Sequence, residues 1–413
     1  MRLKDTAELM HNANAEKDVV PKTNARVMPA SEVACPDSKM RAALRLHDYL
    51  VASHWNGHAL TGPDVGIRFN SRVGRFIKSY LPRVNWKDNY YYVQAQGYWI
   101  LDNWQLYSSM RDNRYRDIAL RCSEFFLGRQ QEDGAWLYPN PEWRGRIATA
   151  EGTWGSLGLL ETYRQTRDRK FLTSVEKWYR FVVREIGFQE VGQELAVNYF
   201  CGKKGPRVPN NSAILLRFLA EVAEASGDDS YLRRCTGLFK FLRAVQEAAG
   251  EFPYTVRGVE GGKVWPHFQC FQYNAFLCLD LMRYFDLTGD DTVRPRIRRL
   301  LGFLREGQAQ NGRSYFECGD KHRDVTYHTA VLAQAFARAS QFEIPGYDAL
   351  ADRAYDYLLG LQRPDGGFDF SRGDYYFFKD RRSYPRNLAM ILYHLLPVAP
   401  LRVRRPAPLA FHY

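Results

Sequence analysis

A glycine turn recurs along this chain at nearly constant intervals, each time after a segment with an apolar stripe. The intervals are 77, 58, 58, 62 and 54 residues, and the glycines are Gly57, Gly134, Gly192, Gly250, Gly312 and Gly366. The stretches "FLGRQQEDGAW" (126–136) and "LLGLQRPDGGFDF" (358–370) show the turn most clearly. Self-similarity at such a period predicts a fold assembled from one repeated supersecondary unit.

Each repeat contains two helical patterns of different character. Before the turn, segments such as 347–362 carry apolar residues at three- and four-residue spacing, which predicts a helix with one buried stripe. After the turn and a loop, segments such as 213–225 are apolar on more sides. Short acidic turns at 166–172, 226–232 and 288–294 are predicted to cap the next amphipathic helix.

Six pairs of this kind predict an all-α fold, an (α/α)6 toroid over residues 39–397 with six helical hairpins. The apolar helices would form an inner ring and the amphipathic helices an outer ring. An open solenoid is the alternative, and we favour closure because six hairpins suit a ring and no polar cap repeat is visible at either end. We expect residues 1–38 to form a flexible arm and 398–413 a basic, proline-containing tail.

The aromatic residue that follows each Asp-Gly or similar turn has a structural explanation. Glycine supplies the positive φ of the turn, and the aromatic ring packs back between neighbouring helices. We therefore predict that Trp136 and Phe368 are structural and lie outside any functional site.

The composition narrows the class of protein. The 413-residue chain has 58 basic and 46 acidic residues, seven scattered cysteines without a CxxC motif, and no apolar run long enough to cross a membrane. We predict a cytoplasmic protein with reduced thiols, no metal and no cofactor. The net charge of +12 alone would suit nucleic acid, but many basic residues lie on predicted helix faces and no nucleic-acid motif is present, so we expect no such partner.

Polar and aromatic residues concentrate where the predicted inner helices begin. Helix N-termini carry free N–H groups and a positive dipole end, so several of them at one face of a ring would form a ligand site. The candidate catalytic residues in these segments are Tyr327, His328, Tyr273, Glu151 and Asp324. The candidate substrate-binding residues are Tyr92, Trp154, Arg146, Lys203, Asn211, His267 and Arg386.

Several of these segments resemble a known group of proteins. The segments are "YYYVQAQGYWILDNWQLYSSMRDNRY" (90–115), "YNAFLCLDLMRYFDLTGDD" (273–291) and "VTYHTAVLAQAF" (325–336). They are similar to the six-hairpin glycosidase-like toroids, and within these to the C-terminal helical domain of D-glucuronyl C5-epimerases. The resemblance spans about residues 85–397, although only these pieces are specific.

The resemblance implies an enzyme that acts on an oligo- or polysaccharide containing uronate. Tyr327 and His328 match the family's Tyr-His pair, where a tyrosine takes part in proton transfer at C5. Two departures stand out. Thr326 replaces the family's acid before this pair, with Asp324 three residues before the tyrosine, and the β-rich domain that precedes the helices in such epimerases is not expected here.

The chemistry would fit these residue types. Removing a proton next to a uronate carboxylate, in epimerisation or elimination, needs an acid or base such as Tyr327, Tyr273 or His328. Arg146, Lys203 or Arg386 would hold the carboxylate. Hydrolysis would instead need two carboxylates, for which Glu151 with Asp324 or Asp88 are the candidates.

Two other classes of function stay open at this point. A terpene cyclase or prenyltransferase could use the same ring, but no DxDD motif is present, and "CGD" (318–320) before His328 does not have the order of prenyltransferase zinc ligands. A toroid without catalytic carboxylates would instead be a glycan-binding or scaffold module.

Overall fold

The computed structural model describes residues 37–66, 73–82, 84–137, 145–342, 344–374 and 378–397. The predicted arm and tail fall almost entirely outside these ranges. Asp37 and Ser38 are described, and they open the first helix: the Asp37 carboxylate accepts a 2.7 Å hydrogen bond from the backbone N–H of Met40. Of the described helices, none is both long enough and apolar enough to cross a membrane.

Thirteen α-helices are found within the described residues, and twelve of them form two concentric rings. The outer helices are α1 (Ser38–Ser53), α4 (Asn113–Leu127), α6 (Arg169–Phe181), α8 (Cys235–Val245), α10 (Arg294–Arg305) and α12 (Asp348–Gly360). The inner helices are α3 (Val93–Met110), α5 (Thr149–Thr166), α7 (Pro209–Ser226), α9 (Cys270–Thr288), α11 (Thr326–Ala339) and α13 (Pro385–Leu395). The short helix α2 (Val73–Tyr80) lies in the first loop.

The inner ring is closed. Each inner helix packs against the next one along the chain, and α13 packs back against α3. The predicted (α/α)6 toroid is therefore confirmed, and the open solenoid is wrong. The two rings share one large hydrophobic core, in which Trp99, Trp178 and Phe218 are among the largest fully buried side chains.

Three small antiparallel sheets occur in the loops and were not predicted. β1 (Thr61–Gly62) pairs with β2 (Tyr90–Tyr91), and β3 (Phe188–Val191) pairs with β4 (Glu194–Val197). β6 (Ser371–Asp374) pairs with both β5 (Asp324–Val325) and β7 (Phe378–Asp380). They leave the fold all-α, because they only brace the loops at the ends of the helices.

Four of the six glycine turns pack closely on the following outer helix. A Cβ atom on Gly134, Gly250, Gly312 or Gly366 would lie 2.0–2.5 Å from a backbone oxygen of Lys177, Arg299, Arg353 or Arg45. A glutamine four residues earlier fixes the same contact: Gln130 Nε2 donates 2.9 Å hydrogen bonds to the carbonyl oxygens of Gly134 and Ser174. The recurrent turn is therefore a helix-to-helix fastening that requires glycine.

The same fastening closes the ring between its first and last units. Gln362 Nε2 donates to the carbonyl oxygens of Ala42, on α1, at 2.8 Å and of Gly366 at 2.9 Å. Trp136 and Phe368 are buried in the core, as predicted for structural aromatics.

The grouping of Gly192 with these turns is wrong. Gly192 has a φ of 59° but lies in the tight turn between β3 and β4, where a Cβ atom would meet nothing within 4 Å. The helical part of that unit has already ended, because α6 passes into a single π-helical turn, Val182–Ile186, and then reaches Gly187 at a φ of 70°.

The acidic turns cap helices as expected. The side chain of Asp168 accepts a hydrogen bond from the N–H of Lys170, at the start of α6. Asp228 and Asp290 make the equivalent bonds before α8 and α10, to Ser230 and Thr292. The stretches "GDDS" (227–230) and "GDDT" (289–292) within these turns are therefore capping turns.

Candidate active site

A cavity of about 130 Å³ lies where the N-termini of the six inner helices converge. Its lining includes a residue from the second to fourth position of every inner helix: Gln94, Glu151, Asn211, Gln272, Tyr273, Tyr327, Arg386 and Asn387. Tyr199 and Tyr254 enter from the loops before α7 and α9. The repeat thus delivers at least one polar or aromatic side chain from each unit to the same cavity.

Six of the twelve predicted site residues line this cavity. They are Glu151, Trp154, Asn211, Tyr273, Tyr327 and Arg386. Tyr92, the residue before α3, is also close, because the Arg386 guanidinium lies 4.8 Å from the centre of its ring.

The other five predicted residues lie elsewhere. His328 follows Tyr327 on α11, so its side chain points about 100° away around the helix, where it stacks on Phe316 at 5.3 Å. Asp324 accepts a 2.5 Å hydrogen bond from the Tyr357 hydroxyl of α12. The last three predicted residues, Arg146, Lys203 and His267, are exposed to solvent.

The predicted hydrolytic carboxylates are not brought together. Glu151 lines the cavity, whereas Asp324 is bound to α12 and Asp88 is paired with Lys78 at 2.5 Å and Arg382 at 3.3 Å. The carboxylates near Glu151 are different ones, Asp64 and Asp280, and each is already paired with an arginine.

Glu151 has the most favourable environment for proton transfer. Its side chain is 5% exposed, and burial raises the pKa of the carboxyl group to about 7, partly offset by Arg386 and by the hydrogen bond from a backbone N–H. That bond is 2.9 Å long and comes from Gln94 at the start of α3. A carboxyl group that titrates near neutral pH can both accept and donate a proton under ordinary conditions.

Arg386 is held by a buried partner. Its Nε and Nη2 atoms donate to the two carboxylate oxygens of Asp64 at 2.7 and 2.8 Å, and its Nη1 atom donates to Gln94 Oε1 at 3.3 Å. Asp64 is 1% exposed and precedes α2, more than 300 residues away in sequence. This bidentate pair fixes the guanidinium at the cavity wall.

Three amide side chains present unpartnered polar atoms to the cavity. Asn211 Nδ2, Gln272 Oε1 and Asn387 Oδ1 are buried without a hydrogen-bond partner among the described residues. Buried polar atoms of this kind are rare, because leaving them unpaired costs about 1–3 kcal/mol each. Three in one cavity, offering both a donor and acceptors, fit a ligand rich in hydroxyl groups.

The tyrosines of the cavity form a neutral hydrogen-bonding wall. Burial raises the pKa of Tyr327 to about 12, with Arg386 acting in the opposite direction, and burial also raises the pKa values of Tyr199, Tyr254 and Tyr273. The Tyr254 and Tyr273 rings are 4.7 Å apart. All four are therefore phenols that can donate a hydrogen bond at neutral pH.

Three of the lining residues not identified from sequence, Gln94, Gln272 and Asn387, had a detectable signal. They occupy the second or third position of their inner helices, in the same register as Glu151 and Asn211. Aligning the six helix starts by their repeat would have found them. Asp64, Tyr199 and Tyr254 had no such signal, because irregular loops bring Asp64 to Arg386 and the two tyrosines to the cavity.

The closed double ring, with its polar cavity at the inner-helix N-termini, defines the fold class. The chain has an (α/α)6 toroid fold. No protein-family model matches the sequence, and no curated protein matches it.

Solved structures of the same fold match almost the whole chain at low sequence identity. A cellobiose 2-epimerase from Bacillus thermoamylovorans has a TM-score of 0.68 at 12% identity, and the match covers 86% of this chain and 98% of that one. A D-mannose isomerase gives 0.66 at 12%, covering 88% and 99%. A possible GH105 family member from Klebsiella pneumoniae gives 0.62 at 16%, covering 93% and 98%.

Proposed function

We propose that this protein is a carbohydrate-active enzyme that transfers a proton within its cavity, with Glu151 and Tyr327 as the reacting groups. The observation that carries the proposal is the placement of Glu151, a carboxyl group with a pKa of about 7, beside three unpartnered amides. Sugars are the common ligands with enough hydroxyl groups to satisfy such a set. The fold's solved neighbours include proteins described as sugar-converting enzymes, which supports the same class.

Glu151 and Tyr327 are positioned to approach one substrate carbon from opposite sides. They lie on α5 and α11, which are opposite each other in the order α3, α5, α7, α9, α11, α13. A sugar ring between them would present one face to each group. Glu151 as carboxylate would accept a proton from carbon, and the Tyr327 phenol would deliver one to the other face, which inverts that carbon in an epimerisation.

For the substrate, we propose a uronate-containing glycan, following the resemblance to the C5-epimerases. A uronate carboxylate acidifies the C5–H bond, and Arg386 is the cation available at the cavity wall. Binding would then require Arg386 to share its donors between Asp64 and the substrate. Elimination is the related reaction that the same Glu151 would support.

The Arg386–Asp64 pair favours a second candidate substrate, a neutral sugar. Both charges of the pair are satisfied by each other, and Asp280 is likewise paired with Arg217 at 3.1 Å. A neutral ligand would leave both pairs undisturbed. In that case an aldose such as mannose or cellobiose would undergo proton exchange next to its carbonyl carbon.

The test is proton exchange in D₂O followed by NMR, with two sets of substrates. Heparosan, alginate and polygalacturonate represent uronates, and cellobiose and mannose represent neutral sugars. We expect deuterium at C5 of one uronate, or at C2 of a neutral sugar in the second case. Vinylic signals would identify elimination, and new reducing ends would identify hydrolysis.

Variants then locate the reacting groups. Glu151→Gln and Tyr327→Phe should each slow the reaction about 100-fold or more, the usual contribution of a general acid or base. Glu132→Gln, on an exposed turn, and Tyr107→Phe, on α3 outside the cavity, are the matched controls. An unchanged rate in Glu151→Gln would refute its role, and binding without any conversion would identify a glycan-binding module.

A further inference from the structure

Two cysteines from different repeats meet at the rim of the ring. Cys270 is the first residue of α9, and Cys318 lies in the loop between α10 and α11, 48 residues further along. Their Sγ atoms are 2.8 Å apart, and the backbone N–H of Cys318 also donates a 2.9 Å hydrogen bond to Cys270 Sγ. Both are free thiols here.

The distance of 2.8 Å between the two sulfur atoms fits a disulfide bond better than a shared zinc ion. Two thiolates on a tetrahedral zinc ion, each at about 2.3 Å, would be roughly 3.8 Å apart. A disulfide requires about 2.05 Å, which the two sulfurs reach by closing less than 1 Å. No group of three or more metal-ligating residues occurs among the described residues. The two sulfur atoms are therefore placed to form a disulfide bond with each other.

The two thiols also differ in the way that a thiol–disulfide exchange needs. Cys318 is partly exposed, whereas Cys270 is 1% exposed. The hydrogen bond from the Cys270 thiol lowers the pKa of Cys318 to about 7, and His267 acts in the same direction. Cys318 is thus the accessible and more acidic thiol, and Cys270 is its buried neighbour.

We propose that Cys270 and Cys318 are a redox modification site. On reaction with a low-molecular-weight disulfide such as oxidised glutathione, the two cysteines form a reversible intramolecular disulfide with each other. The Cys318 thiolate attacks the glutathione disulfide, forms a mixed disulfide and releases one glutathione thiolate. Cys270, after losing its proton to solvent, attacks the Cys318 sulfur and releases the second glutathione. The protein loses two hydrogens, and one oxidised glutathione becomes two reduced ones.

The disulfide would tie together two segments that carry cavity residues. Gln272 and Tyr273 follow Cys270 within the first turn of α9, and the loop of Cys318 leads through β5 to Tyr327. The segment before Cys270 is under backbone strain, because Gln269 has a φ of 45° without being glycine. Oxidation would hold this strained helix start and the neighbouring loop in place.

The test uses the full chain treated with oxidised glutathione, then blocked with iodoacetamide and digested without reductant. Mass spectrometry should find the peptide of Cys270 joined to that of Cys318, and dithiothreitol should separate them. Cys318→Ser should abolish the link, and Cys270→Ala should leave only a glutathione adduct on Cys318. Cys122→Ser, which removes a buried cysteine elsewhere, is the matched control and should leave the link unchanged.

Hydrogen exchange then tests the consequence for the rim. In the oxidised protein, amides in 266–271 and 315–323 should exchange several-fold more slowly than in the reduced protein, and Cys318→Ser should show no difference between the two treatments. A stable glutathione adduct without the internal link, or a link from either cysteine to a third one, would overturn the proposal. So would a link that leaves exchange in both segments unchanged.

Discussion

The Glu151 carboxylate accepts a 2.9 Å hydrogen bond from the backbone N–H of Gln94, which joins the starts of two adjacent inner helices. Gln94 in turn accepts a hydrogen bond from Arg386, at the start of the last inner helix. A chain of contacts thus runs from α5 through α3 to α13 and ends on Asp64. The acidity of Glu151 therefore depends on its burial and on groups from the first and last repeats of the ring.

Glu151 should make the folded state less stable as pH rises. Its pKa is about 7 in the folded protein and about 4.5 in an ordinary environment, so the folded state binds the extra proton between these values. The stabilisation is complete below pH 4.5 and is lost as pH rises through 7. We expect urea unfolding to show wild type losing about 3 kcal/mol relative to Glu151→Gln between pH 4.5 and 8. Glu132→Gln should track wild type, and parallel curves for Glu151→Gln and wild type would refute the shift.

His328 should make the folded state less stable as pH falls. Burial lowers the pKa of its imidazole to about 3, from 6.5, so the unfolded state binds more protons between these values. Stability is present above pH 6.5 and falls as pH drops toward 3. Replacing this stacked ring in His328→Phe should reduce the loss of stability between pH 8 and pH 5 by about 2 kcal/mol. The control is His58→Phe on the surface, and equal acid sensitivity in all three proteins would contradict the prediction.

The loss of stability caused by a close contact at Gly134 should be distinguishable from the loss caused by its positive φ. Gly134 and Gly57 have φ values of 98° and 96°, but only Gly134 would place a Cβ atom against a backbone, 2.5 Å from Lys177 O. Gly57→Ala should cost about 1–3 kcal/mol for the strained φ alone. Gly134→Ala should cost clearly more, because α6 must also move. Equal losses in chemical unfolding would show that helix packing does not require this glycine.

The Arg386–Asp64 pair should behave as a buried unit. Arg386→Met would remove the guanidinium that neutralises the carboxylate of Asp64 at 1% exposure, and breaking a buried pair in this way typically costs about 3–5 kcal/mol. Adding Asp64→Asn should recover much of that loss, because the buried charge is then removed as well. Unfolding of wild type, both single variants and the double variant completes the cycle. Simple additivity of the two single losses would contradict a coupled pair.

Gln130 should stabilise the contact between α4 and α6 through its side-chain amide. Gln130→Leu removes the donor to the carbonyl oxygens of Gly134 and Ser174 and leaves both without it, for an expected loss of about 1–3 kcal/mol. Its exposed neighbour offers a matched control, since Gln131→Leu should change stability by less than about 0.5 kcal/mol. Similar losses from both would indicate a general effect of surface hydrophobicity.

The double ring could be predicted from the sequence, because each repeat contains the residues that form, cap and end its own helices. Gly134, Gly312 and Gly366 mark turns that only glycine can make at that distance from a neighbouring helix, and Asp168 caps a helix whatever its surroundings. The first turns of the inner helices, with Glu151 and Tyr327, could be placed together for the same reason. These are local properties, repeated at a period that the chain displays openly.

Which of the candidate side chains share the cavity could not be predicted from the sequence, because it depends on long-range packing. His328 follows Tyr327 by one position, but its side chain points away from the cavity and stacks on an aromatic ring. Asp324 accepts a hydrogen bond from Tyr357 of an outer helix. Asp64 reaches Arg386 across more than 300 residues, and Cys318 reaches Cys270 across 48. Such pairings depend on how irregular loops cross the end of the ring, where no periodic pattern relates a residue's place in sequence to its place in space.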